Sequence, residues 1–364
     1  MENSPQQPNW LQESPAQPSL THRERALEHQ DQLTKPPGSL GELEALAVQL
    51  AAIQNSHNPA AEPAHIALFA ADHGITAEGV SPIDPVVTQQ MMTNFVNGGA
   101  AISVMARELG CELEVIDVGS RWPGELPQPI LDRRIAPGTA NMRREAAMSP
   151  EQFLAALEAG REAAERAQQS GVKLFIAGEM GIGNTSAAAA LAAALLEAPA
   201  AGLVGPGTGL QGPALRHKEE VIEAALSFHR HELGSPGALA NPWEAGRRVG
   251  GLEICAMAGA YLRCAQLGIA VLLDGYISGS AALLAERLAP GTKENMLLGH
   301  CSAEPGHRRV VSALGLSPIL SLGMRLGEGS GAATALPLLR MACAIHNNMA
   351  TFAQAGVTQG DNHQ

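Results

Sequence analysis

The sequence predicts an α/β fold in which a mostly parallel sheet is covered by helices on both faces. Two observations predict it. From Pro63 onward, short apolar runs end in glycine and an acidic residue, and each is followed by a helical segment. Aromatic residues make up only 3% of the chain while alanine and glycine abound, a composition suited to close helix–sheet packing. Strands that are apolar at every position are buried on both faces, and parallel neighbours then need helical crossovers between them. With 364 residues the chain can bury a substantial core, as one large domain or two.

Taken in order, residues 1–20 are rich in Pro, Gln and Ser, which predicts a disordered or loosely attached tail. Helical signal begins near Thr21. After the break at Pro36-Pro37-Gly38, Ser39-Leu40-Gly41-Glu42 has the form of a capping box, opening a helix with Leu40, Leu43, Leu46, Leu50 and Ile53 on one side. Strands are expected over 65–71, 112–116, 172–177 and 269–273. Ser149-Pro150-Glu151-Gln152 starts a helix that runs towards Gly171, and Pro337 is expected near the start of a helix reaching Phe352. No long period repeats, which argues against a solenoid.

The net charge of −12 argues against nucleic acid or an anionic membrane as partner. Five scattered cysteines without a C-x-x-C pair read as reduced thiols in a cytoplasmic protein. No apolar run reaches membrane-spanning length, and the N-terminus has no apolar h-region.

In a parallel sheet the ligand crevice lies at the carboxyl ends of the strands, where Asp72, Asp117, Glu179 and Asp274 stand. Such a rim suits a substrate that is positive or becomes so in the transition state. Acidic residues also cap helices and close turns, so each of the four has a structural reading beside the catalytic one. Gly178-Glu179-Met180-Gly181-Ile182-Gly183-Asn184-Thr185-Ser186 joins a predicted strand to an Ala-rich helix, a junction where N–H groups and a helix N-terminus can receive a phosphate. It is neither G-x-G-x-x-G nor a Walker loop. A second loop, Gly205-Pro206-Gly207-Thr208-Gly209, precedes an accessible Lys218 and can form the other side of that site. Together they make a phosphate monoester the best-supported ligand group.

Met324-Arg325-Leu326-Gly327-Glu328-Gly329-Ser330-Gly331 places one carboxylate among glycines before a small-residue helix. Glu328 is the first candidate for a general base; the other reading is a surface Glu in a flexible turn. His300, Glu304 and His307 have the spacing of a metal triad on one helix, but Pro305 and Gly306 argue against that helix, and no metal is expected. The 271–279 stretch lacks the paired acidic residues of a phosphoribosyl-pyrophosphate loop, so a magnesium–pyrophosphate donor is not supported.

Six co-ordered stretches carry a family resemblance: Thr34-Lys35-Pro36-Pro37-Gly38-Ser39-Leu40-Gly41, Ala71-Asp72-His73-Gly74, Gly79-Val80-Ser81-Pro82, the 178–185 turn, Gly250-Gly251-Leu252-Glu253 and Arg325-Leu326-Gly327-Glu328-Gly329. From about Leu33 to Phe352 the chain resembles the nicotinate-nucleotide:dimethylbenzimidazole phosphoribosyltransferase (CobT) family. The resemblance implies a Rossmann-like sheet with a small helical domain built from both chain ends, residues 21–62 and 335–364, around an α/β catalytic domain over 63–334. It implies transfer of 5-phosphoribose from nicotinate mononucleotide to 5,6-dimethylbenzimidazole, no cofactor, and a homodimer. It makes Glu328 the general base and Glu179 a second carboxylate near the ribose. Ser81, Gln89, Met180 and Leu326 would line the base pocket. Gly181, Gly183, Asn184, Thr185, Gly207, Thr208, Gly209 and Lys218 would hold the phosphate, with Asp274 close to the nucleotide.

Two positions depart from the family pattern. Pro206 stands where arginine is usual, and Ile83-Asp84 where an aromatic-proline pair is common, which leaves the accepted base open. The alternatives are a sibling transferase using adenine, another benzimidazole or a phenol, and a non-catalytic nucleotide-binding protein. Retention of both Glu179 and Glu328 speaks against the latter.

Overall fold

The computed structural model describes residues 8–235 and 237–358. Its strands are β1 (Ala64–Ala71), β2 (Glu112–Gly119), β3 (Leu131–Asp132), β4 (Leu174–Met180), β5 (Ala270–Leu273), β6 (Met296–His300) and β7 (Pro318–Leu320). They form one seven-stranded sheet in the order β3-β2-β1-β4-β5-β6-β7, and every pairing is parallel. The four expected strands are β1, β2, β4 and β5. The edge strands β3 and β7 are too short to leave a pattern in sequence. The order reverses between β1 and β4, and the crevice of a doubly wound sheet opens at such a switch point.

The helices are α1 (Leu20–Gln32), α2 (Glu42–Ile53), α3 (Val86–Val96), α4 (Ala101–Leu109), α5 (Pro150–Gln169), α6 (Asn184–Leu195) and α7 (Gly212–Glu232). They continue as α8 (Pro242–Val249), α9 (Leu252–Leu267), α10 (Tyr276–Leu288), α11 (His307–Leu314), α12 (Ser330–Asn348) and α13 (Phe352–Ala355). Alternate residues of β1 serve two cores. Ala67 and Phe69 join the cluster of α5, α6, α9 and α10, whereas Ile66 and Leu68 join that of α2, α4 and α12. The glycine-rich composition has its use where α5 meets α9: a Cβ on Gly160 would lie 1.8 Å from the Ala256 carbonyl, and one on Gly259 2.1 Å from that of Leu157. Only helices without side chains at those points can touch backbone to backbone.

Three expectations need correction. Ser39 caps no helix: Gly38 and Gly41 turn the chain with positive φ, α2 starts at Glu42, and the Leu40 N–H donates instead to Glu44 Oε1 at 2.9 Å. Pro337 lies inside α12, which starts at Ser330 and ends at Asn348, short of Phe352. Residues 8–19 lie against the body, where Trp10 is buried and its Nε1 donates to Glu158 at 2.9 Å. The Ala16 N–H also donates to the Ala265 carbonyl at 2.9 Å. Residues 1–7 of the expected tail fall outside the described residues.

The Ser149 capping box forms as read, with reciprocal bonds to Gln152 of 3.2 and 2.9 Å. The chain ends meet: α1 packs on α2, α2 on α12, and Leu33 pairs with Thr351.

Candidate active site

A cavity of about 440 Å³ opens at the carboxyl ends of β4, β5 and β6. Its floor begins where β4 ends in Glu179 and Met180 and the chain turns through Gly181 and Gly183 into α6. Gly183 takes a left-handed φ of 99°, and a Cβ on Gly181 would lie 2.4 Å from the Ala71 carbonyl. The turn rests on a buried pair, His73 Nε2 and Glu253 Oε1, 2.6 Å apart. From the other side Thr88 on α3 accepts the Ile182 N–H at 3.2 Å. These contacts pin a run of backbone N–H groups at the start of α6, the arrangement that receives anions.

The second loop is tied to the first by Lys218. Its Nζ donates to Thr185 Oγ1 at 2.9 Å and to the Gly205 carbonyl at 3.1 Å. The lysine expected to be accessible is in fact 1% exposed. Burial lowers its pKa to about 8 against the opposing field of Glu304. Arg325 donates to the Gly207 carbonyl at 3.2 Å, bringing a cation to the loop that carries Pro206. Asn184, Thr185, Gly207 and Thr208 line the cavity; Gly183, Gly209 and Lys218 do not reach its lining.

Glu328 lines the same cavity. Gly327, Glu328 and Gly329 have φ of 90°, 64° and 86°, three successive left-handed residues of which only the middle one carries a side chain. A non-glycine residue held there is strained by about 1–3 kcal/mol. Asp274, at the end of β5, maintains the geometry: its carboxylate accepts the N–H groups of Gly329 (3.2 Å), Gly331 (2.6 Å) and Ala332 (3.1 Å) at the start of α12. Glu328 Oε2 accepts the Ile102 N–H at 3.3 Å. Burial raises its pKa, the Ile102 N–H opposes this, and the Asp274 charge adds to it.

Glu179 reaches the same place, since a Cβ on Gly327 would lie 2.2 Å from its Oε1. It accepts a hydrogen bond from Asn184 Nδ2. Burial, then the charges of Asp274 and Glu253, hold its carboxyl well above the usual carboxylate range. The other two strand-end acids close turns. Asp72 accepts the Arg121 N–H at 2.8 Å, and Asp117 accepts from Gly119 and Ser120 at 3.0 and 2.7 Å.

Ile83, Val87, Met91, Met180 and Leu326 supply the apolar lining. Ser81 and Gln89, expected there, do not line the cavity. Ser81 Oγ accepts the Ile83 N–H at 3.1 Å and lies 3.5 Å from Thr208 Oγ1, while Gln89 sits half-buried on α3. Sequence reasoning missed Val87, Met91, Ser278, Ser302 and Arg325 in the lining. The i, i+4 pair Val87 and Met91 marks an apolar stripe on α3 that could have been found; nothing local marks the others.

His300, Glu304 and His307 take separate partners. His300 Nε2 lies 3.4 Å from Asp274, Glu304 accepts the Gly207 N–H at 3.1 Å, and His307 Nδ1 accepts the Ser302 N–H at 2.8 Å. Among the described residues no group of three or more His, Cys, Asp or Glu side chains could hold a metal ion.

The arrangement offers an anion site at two loops and two carboxylates with raised pKa values in one partly apolar cavity. A family model described as phosphoribosyltransferase matches residues 16–357. A Pseudomonas aeruginosa protein named nicotinate-nucleotide--dimethylbenzimidazole phosphoribosyltransferase is 55% identical over 349 residues, 96% of this chain and 98% of the relative. A protein of the same name from Azotobacter vinelandii is 56% identical over 333 residues, 91% of this chain and 93% of its own length. The crystal structure of CobT from Thermus thermophilus superposes with a TM-score of 0.88 at 47% identity, covering 93% of this chain and 100% of that one. Because the match runs through both loops, the Asp274 turn and the Glu328 stretch alike, the chain belongs to the nicotinate-nucleotide--dimethylbenzimidazole phosphoribosyltransferase family.

Proposed function

We propose that the chain transfers 5-phosphoribose from nicotinate mononucleotide to 5,6-dimethylbenzimidazole, giving α-ribazole 5′-phosphate and nicotinate. The observation that carries this reading is Glu328, held in a left-handed turn by Asp274 beside Glu179 and in one cavity with the anion loops.

The donor ring of nicotinate mononucleotide is a quaternary pyridinium, so its nitrogen leaves C1′ with the bonding pair and becomes neutral. One azole nitrogen of the acceptor attacks C1′ while Glu328 takes the proton from the other. Burial raises its pKa above the ordinary carboxylate value, which makes it a stronger base for this proton. Burial and the neighbouring charges of Asp274 and Glu253 raise the Glu179 pKa; a cationic donor ring beside it favours the carboxylate, which then faces the positive charge developing on the ribose. The Gly181 to Thr185 turn, Gly207, Thr208 and Lys218 hold the 5′-phosphate, and Met180 and Leu326 pack on the bases. Ser81 stands beside the lining residue Thr208, its Oγ 3.5 Å from Thr208 Oγ1.

Incubation with nicotinate mononucleotide and a panel of bases tests the reading. Product with dimethylbenzimidazole is expected; product only with another base would replace it with a sibling transferase. That second reading has its own support in Ile83, an aliphatic residue in the cavity lining where an aromatic is common. We further infer a homodimer in the cytoplasm, with residues 21–62 and 335–358 as one helical unit; residues 359–364 of the expected unit lie outside the described residues. The meeting of the chain ends supports the helical unit and the five free cysteines suit a reducing compartment, while the dimer is carried by the family resemblance. Sedimentation at micromolar concentration checks the dimer.

A further inference from the structure

Two stretches marked in the sequence, Ala71-Asp72-His73-Gly74 and Gly250-Gly251-Leu252-Glu253, take no part in the proton transfer, yet they meet against the turn that opens α6. His73 follows β1, Glu253 lies in the first turn of α9, and the two are 1% and 0% exposed. His73 Nε2 and Glu253 Oε1 are 2.6 Å apart, so one proton lies between them. Glu253 Oε2 is buried with no hydrogen-bond partner among the described residues.

Glycines bring this pair into contact with the turn. A Cβ on Gly181, which lines the cavity, would lie 3.2 Å from both Glu253 Oε1 and His73 Nε2, and one on Gly183 3.1 Å from His73 Cβ. A Cβ on Gly251 would lie 2.4 Å from His73 Cε1. The imidazole and the carboxylate are thus packed on the backbone of the turn with no side chain of its own between. The same turn leads into Asn184, whose Nδ2 donates to Glu179.

Stability alone does not account for the pair. Apolar side chains of the same size commonly replace a buried ion pair without loss of stability, and here one carboxylate oxygen stays unpaired. What a hydrogen bond supplies and apolar packing does not is direction: it fixes the ring plane and the carboxylate, and with them the surface on which Gly181 and Gly183 rest. N–H groups that receive an oxyanion have to be held within about 0.5 Å of their place by such supporting bonds.

We propose that His73 and Glu253 are positioning residues for the phosphate of the donor: their hydrogen bond sets the backbone of the Gly181 to Asn184 turn, and neither touches the substrate. This rests on reading that turn, with the Gly205 to Gly209 loop, as the phosphate site.

Titration calorimetry of the full chain with nicotinate mononucleotide and with nicotinate riboside, its phosphate-free counterpart, tests it. The wild type is expected to bind the mononucleotide at least about tenfold more tightly than the riboside. In the double variant His73→Leu, Glu253→Met, which buries no charge, that preference should fall to within about threefold while the melting temperature stays at or above that of the wild type. A pair that only supported the fold would weaken both ligands alike. His73→Gln, whose amide donates from the position of Nε2, should keep the preference within about threefold of the wild-type value. If the double variant does not fold, Glu253→Met alone, which leaves no carboxylate behind, carries the same expectation. Lys218→Met removes the cation that joins the two loops and so reports on the phosphate site itself. Full preference in the folded pair variant with loss in Lys218→Met overturns this inference alone. Full preference in both, or none in the wild type, overturns the phosphate site as well.

Discussion

Glu328 shows how much chemistry one residue's backbone can carry. Its φ of 64° points the side chain away from the helix it precedes and into the cavity, and three N–H groups held by Asp274 keep it there. Glu328→Gln removes the proton acceptor without changing shape. Turnover should fall by about 10² or more while nucleotide affinity by calorimetry stays near that of the wild type. Near-normal turnover would take the base role from Glu328. Lys218 makes a prediction of the opposite kind. Its pKa of about 8 means the charge behind the phosphate loops disappears as pH rises through 8. The KM for nicotinate mononucleotide should climb above that pH with kcat much less affected. The effect on stability has the other sign. An unfolded lysine keeps its proton to about 10.5, so the unfolded chain binds more protons between 8 and 10.5 and this group's contribution improves with rising pH.

At the scale of elements, the site depends on backbone passing backbone. A Cβ on Gly178 of β4 would lie 2.2 Å from the Glu328 carbonyl, so the strand that carries Glu179 touches the loop that carries Glu328. Gly178→Ala should push that loop outward. A displacement of about 1 Å at a positioned base costs on the order of 10²-fold in kcat. Steady-state kinetics beside a thermal melt would show whether the loss is one of geometry rather than of folding. The Lys218 bridge works between elements in the same way, joining the turn before α6 to the loop before α7.

For the whole molecule, the reversal of strand order between β1 and β4 leaves a crevice, and the chain's far-apart segments converge on it. Stability is gathered elsewhere as well. Trp10 lies over α5 and the end of α9, away from the cavity, with its carbonyl accepting from Gln266 at 2.7 Å and its indole donating to Glu158. Trp10→Ala should lower the melting temperature, with a loss of up to about 3–5 kcal/mol for a buried tryptophan. Turnover at 25 °C should be unchanged. Reduced turnover in the folded variant would show that the N-terminal segment communicates with the site.

The sequence by itself determined the features that depend on neighbours along the chain. Continuously apolar runs marked β1, β2, β4 and β5, the Ser149 box formed as read, and glycines around Glu179 and Glu328 marked turns at helix starts. Local stereochemistry and period are enough for these. What only the tertiary structure decided were burial and convergence. Lys218 sits in a charged stretch and reads as exposed, yet it is buried between loops, with Thr185 33 positions away. Glu328 finds its N–H partner at Ile102, 226 positions away, and the turn under Glu179 rests on His73 and Glu253, 180 apart. The division of the four strand-end acids into two that close turns and two in the cavity follows from the same cause. Desolvation and charge coupling are set by what distant segments bring into contact, and no local pattern encodes that.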